Sequence, residues 1–96
     1  MPNPVVSVGM AALAVAMKAK ARVLSADDVA DMVNDAGELL LADHPVRIAI
    51  TQFALGYELH AARPDEVHGL GVNLHAAIAR ALRPDPPDLH RKDIHG

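Results

Sequence analysis

PVRIAITQFALGYELHA, residues 45–61, carries two competing periodicities, and the choice between them sets the class of the whole chain. Val46, Ile48 and Ile50 alternate with Arg47, Ala49 and Thr51, which suits a half-buried strand. Over the longer span Val46, Ile50, Phe53, Tyr57 and Ala61 fall on one helical stripe, and Ile48, Leu55 and Leu59 on another. Arg47, Thr51 and Glu58 are left as a narrow polar strip. Because the helical spacing continues through Leu59, helix is the preferred reading. Apolar on two sides, this helix is expected to be the central element.

The flanking sequence supplies its boundaries. Upstream, Asp43-His44-Pro45 breaks and restarts the chain, since Pro45 disfavours helical geometry in its predecessor and suits a first turn itself. Downstream, Arg63-Pro64-Asp65-Glu66 opens another helix, in which Val67, Leu70, Leu74, Ala77 or Ile78, and Ala81 keep helical spacing to about Leu82. Gly69 and Gly71 interrupt it; a kink, a start delayed to Val72, or a close neighbouring backbone would each account for them.

Two further helices lie on the N-terminal side. Ser25 can accept from the backbone N–H three residues on, with Asp27 and Asp28 in the electropositive first turn and Leu24 placed to staple onto Val29. Val29, Met32, Val33, Ala36 and Leu40 then mark a buried face, with Asp31, Asp35 and Glu38 mainly opposite. The first helix opens at Asn3-Pro4 and should cover about residues 4–22. Its core face is expected to be Val6, Met10, Leu13, Met17 and Ala21, with a strip of small residues, Gly9, Ala12 and Ala16, beside it.

The expected fold is therefore all-α: a small antiparallel bundle of about four helices in one domain, residues 1–83, followed by a Pro-rich extended tail, residues 84–96. Composition agrees. Half the residues are apolar while Phe53 and Tyr57 are the only aromatics, so the core must be built from Ala, Leu, Val, Ile and Met. Alanine is the best helix former. Its abundance beside only three lysines also suits a GC-rich bacterial genome.

Several function classes are disfavoured. The absence of cysteine excludes thiol catalysis and cysteine-ligated metal centres. The apolar run from Val5 to Met17 rises only ~20 Å as a helix against a hydrocarbon core of ~30 Å, and its cations follow it instead of preceding it. The chain reads as cytoplasmic, with no membrane partner. A net charge of −3, with Lys18, Lys20 and Arg22 the only tight basic group, argues against nucleic acid. A helix-turn-helix through Ala62-Arg63-Pro64 would present Asp65 and Glu66 to phosphates.

No catalytic residue is assigned. The hydroxyls of Ser7, Ser25, Thr51 and Tyr57 lack a nucleophile motif, the aspartates of residues 27–38 suit a solvated face, and Gly69-Leu70-Gly71 lacks the remainder of a phosphate loop. No cofactor is expected. Of the six histidines, His68 and His75 are the only candidate metal ligands on one helix face. They are two turns apart, about 10.5 Å of rise, which is too far to share an ion without further ligands.

What remains is apolar surplus. Leu39, Leu40 and Leu41 are consecutive, so they cannot all face one core. The sequence is thus read as a non-catalytic protein-interaction or regulatory adaptor module, forming a homodimer or a complex with another protein through its second and third helices. Leu39, Leu41, Leu55 and Leu59 are the candidate contacts. The alternatives are a histidine-based metal, cofactor or small-ligand binder and a DNA-associated regulator.

Overall fold

The computed structural model describes residues 3–83, and these form four helices: α1 (Pro4–Lys20), α2 (Ala26–Leu39), α3 (Pro45–His60) and α4 (Pro64–Leu82). No strand occurs among the described residues, so the ambiguous stretch from 45 onward is helical. The expected Pro-rich tail, residues 84–96, lies outside the described residues.

Local chemistry fixes each start. Asn3 Oδ1 accepts from the Val5 N–H at 2.9 Å, with Pro4 in the first position, where a missing N–H costs nothing. At α2, the Asp28 N–H donates to Ser25 Oγ at 3.2 Å while the Ser25 N–H donates to Asp28 Oδ2 at 3.1 Å, a reciprocal capping box. At α3 the cap is His44, whose Nδ1 accepts from the Val46 N–H at 3.1 Å. α4 opens with Pro64, Asp65 and Glu66 and runs without a break through Gly69 and Gly71.

α1 ends in a Schellman arrangement. The Val23 N–H reaches the Lys18 carbonyl at 2.9 Å and the Arg22 N–H the Ala19 carbonyl at 3.1 Å. Arg22 itself sits at φ 64°, the left-handed conformation usually left to glycine at this position.

Consecutive helices run antiparallel, and α1 closes the bundle against α4. Gly9 near the start of α1 faces Leu82 at the end of α4, while Gly71 near the middle of α4 meets Ala16, Ala19 and Lys20. Ile50, Ile78, Val8 and Val46 are fully buried at the centre, joined by Met32, Phe53 and Leu74. In α2, α3 and α4 the buried residues fall on the faces anticipated from their spacing, apart from Val33 and Ala61, which face outward; the second stripe of α3, Ile48, Leu55 and Leu59, is exposed, so α3 packs by one face and is not a wrapped central helix.

α1 is the exception. Its core face is not Val6, Met10, Met17 and Ala21, all exposed, or the half-buried Leu13, but Val8, Ala12, Val15, Ala16 and Ala19, with Gly9 beside them. The reason is geometric. α1 has no charged residue before Lys18, so hydrophobicity cannot choose its inner face, and packing does. Ala16 and Ala19 let Gly71 of α4 approach until backbone and Cβ atoms are in contact, which larger side chains at those two positions would prevent.

Candidate interaction surface

The three consecutive leucines divide as their geometry requires. Leu40 is buried, while Leu39 and Leu41 point outward, Leu41 at 76% exposure. The turn is held by Arg47, whose guanidinium donates to the Leu40 carbonyl at 2.9 Å. Leu55 and Leu59 stand on the outer stripe of α3 with Ile48. All four expected contact residues are therefore on the surface, but they do not form one patch. Leu39 and Leu41 lie where α2 ends, whereas Leu59, 78% exposed, is near the opposite end of α3.

Leu55 belongs to a groove of about 530 Å³ between α2 and α3. Ala26, Val29, Ala30 and Val33 form one wall, and Ala54, Leu55 and Tyr57 the other, with Asn34, Thr51 and Glu58 at its edges. The alanines create the space: each withholds the side-chain volume that would otherwise fill the seam. Sequence reading identified Leu55 and the exposed stripe of α3 but not the groove, since Val33 was assigned to the core and Ala26, Ala30 and Ala54 carried no outward signal.

Glu58 is the one carboxylate that lines the groove, and Asp27, Asp31 and Glu38 stand on the exposed surface of α2 outside it. α2 contains five carboxylates and no Lys or Arg. No cation lines the groove itself; Arg47, beyond its end, is engaged with Leu40.

A second apolar surface lies on α1. Val6, Met10, Leu13 and Met17 follow steps of four, three and four, with Met10 58% exposed and Leu13 half-buried. No charged group occurs in α1 until Lys18. The spacing of this stripe was legible; its direction was not.

Several charged side chains elsewhere are engaged in local structure. Lys18 Nζ lies 3.1 Å from Asp28 Oδ1, and Arg22 pairs with Asp65, so two of the three cations of the basic group are already partnered. The Asp28 carboxyl is held below its ordinary value, first by the Ser25 backbone N–H and then by Lys18 and the Ser25 hydroxyl. Glu66 is likewise lowered, chiefly by its hydrogen bond from Arg63 and secondarily by the nearby His60 and Arg63 charges; it bridges the two, with His60 Nδ1 at 2.8 Å and Arg63 Nη1 at 2.9 Å. Of the two candidate metal ligands, His68 Nδ1 is 3.0 Å from the Lys20 carbonyl, and His75 is half-buried on the same helix. Among the described residues no three His, Asp or Glu side chains converge as a metal site, and no helix is long and apolar enough to cross a membrane.

No protein-family model matches the chain, and neither a curated protein nor a solved structure does.

Proposed function

We propose that this chain is a non-catalytic protein-interaction module of regulatory or adaptor type, acting through two surfaces of different character. The observation that carries the reading is that, Val23 and Val72 apart, the exposed large apolar side chains lie on the α1 stripe, which lacks charge before Lys18, or on the α2–α3 side, whose α2 carries five carboxylates and no Lys or Arg.

Charge assigns the two surfaces. A two-fold contact brings identical patches together, so a patch whose charges are all of one sign meets that same sign. The α1 stripe can pair with itself without that penalty, the axis passing between Met10 and Leu13. Self-association through α1 therefore gives a homodimer, and the side bearing Leu39, Leu41, Leu55 and Leu59 stays open to another protein. A dimer also compensates for the small share of surface that a chain of this length buries alone.

Because the chain has no cysteine, the contact can be read by a single introduced thiol. Met10→Cys is expected to oxidise to a covalent dimer at micromolar concentration, while Leu59→Cys stays monomeric. Equal cross-linking of both, or of neither, contradicts the assignment.

A further inference from the structure

We infer that the apolar surface of α1 is an oxidation-responsive contact, in which conversion of Met10 and Met17 to sulfoxides disperses the homodimer and reduction restores it. The inference rests on the interaction-module reading and adds the regulation of one of its surfaces.

Sulfur stands where it can act. The chain has no cysteine, so its methionines are its only sulfur groups. Met1 lies outside the described residues, and Met32 is enclosed in the core at 2% exposure. Met10 and Met17, 58% and 52% exposed, share one stripe with Val6 and Leu13. A peroxide therefore reaches the two stripe sulfurs and not the one that supports the fold.

The reaction is a two-electron oxygen transfer. The thioether sulfur attacks one oxygen of hydrogen peroxide, the O–O bond breaks, and water leaves as the sulfoxide forms; sulfur is oxidised and the peroxide reduced. Methionine sulfoxide reductases reverse it at the expense of a dithiol, which becomes a disulfide while the oxygen departs as water.

The stripe offers such an oxygen no donor. A two-fold axis between Met10 and Leu13 sets Met10 against Leu13, and Met17 against Val6, of the second copy, and neither a leucine nor a valine side chain can donate a hydrogen bond. α1 has no charged residue before Lys18, and Lys18 is engaged with Asp28. The dimer would thus enclose strongly polar sulfoxides without partners, in both copies, whereas in the separate chains the same oxygens face water. Chains oxidised while dissociated are withdrawn from the equilibrium by mass action.

The test compares the full wild-type chain with a Met10→Leu, Met17→Leu double variant, which keeps Met1, Met32 and an apolar stripe of similar volume. Each is treated with hydrogen peroxide, mapped by peptide mass spectrometry, followed by circular dichroism, and measured by light scattering over a dilution series. The wild-type chain is expected to gain one oxygen at Met10 and one at Met17, to keep Met32 and its helix content unchanged, and to dissociate with a Kd raised about tenfold or more. The double variant should stay dimeric under the same treatment, and the reductases with dithiothreitol should restore the wild-type dimer. A dimer that survives oxidation of both stripe methionines, a double variant that dissociates as readily, or dissociation accompanied by loss of helix overturns the inference and leaves the dimer reading standing. A wild-type chain that is monomeric before any oxidation overturns both.

Discussion

Gly71 of α4 lies against Ala19 of α1 so closely that a methyl group on its Cα would stand 2.7 Å from the Ala19 Cβ and 3.0 Å from the Ala16 carbonyl oxygen. Neither neighbour can swing aside, because one is the stub of a side chain and the other is backbone. Gly71→Ala should therefore force the two helices apart and cost about 1–3 kcal/mol, despite the better helix propensity of alanine. Gly69, two residues away, has open space where a Cβ would go, and Gly69→Ala should stabilise by up to about 1 kcal/mol. Urea unfolding of the two variants should give midpoints displaced in opposite directions.

Arg22 provides a second backbone prediction. Its left-handed conformation costs an L-residue about 1–2 kcal/mol, and only part of that is returned by its exposed pairing with Asp65. Arg22→Gly should raise stability by about 0.5–1 kcal/mol, the relief exceeding the loss of one surface ion pair. Asp65→Asn, which removes the pair but keeps the strain, should lower stability slightly. The same urea series measures both.

Acid should weaken the fold in a defined window. Folded Asp28 titrates below the ordinary aspartate value of 3.8 and folded Glu66 below the ordinary glutamate value of 4.5. On acidification the unfolded chain takes up these protons first, so the stabilisation is complete above about pH 5 and is lost as pH falls through the lower folded values. Unfolding midpoints should hold between pH 7 and 5 as far as these two groups decide, then drop toward pH 3. Asp28→Asn should show a shallower drop. Ser25→Ala, which removes the cap, should cost about 1 kcal/mol at pH 7.

The outward leucines should be dispensable for folding. Leu41→Ser and Leu55→Gln alter exposed side chains and should change stability by no more than about 0.5 kcal/mol, while Ile78→Val, at a fully buried site, should cost about 1 kcal/mol. Thermal denaturation checks the contrast. A large loss at Leu55 would mean that it supports the fold.

Most of the fold was legible because several signals coincided on the same residues. The Ser25 cap, Pro45 and Pro64 each opened a helix where spacing also began one, and the division of Leu39, Leu40 and Leu41 followed from helix geometry alone. The inner face of α1 was not legible, because a helix apolar on all sides gives periodicity no contrast. The deciding partner, Gly71, is far along the chain, where it could as well have marked a kink. His44 as a cap was also not read from Asp43-His44-Pro45, because only the backbone path shows that its ring nitrogen reaches the Val46 N–H. The groove required tertiary structure: a gap between alanines of two helices leaves no mark on either one.

The most direct test of the two-surface account is solution mass by light scattering over a dilution series, for the wild-type chain, Met10→Glu and Leu55→Glu. A dimer for wild type and Leu55→Glu, with Met10→Glu monomeric, is the predicted result. A monomer at every concentration, or a dimer broken by Leu55→Glu and untouched by Met10→Glu, would contradict it.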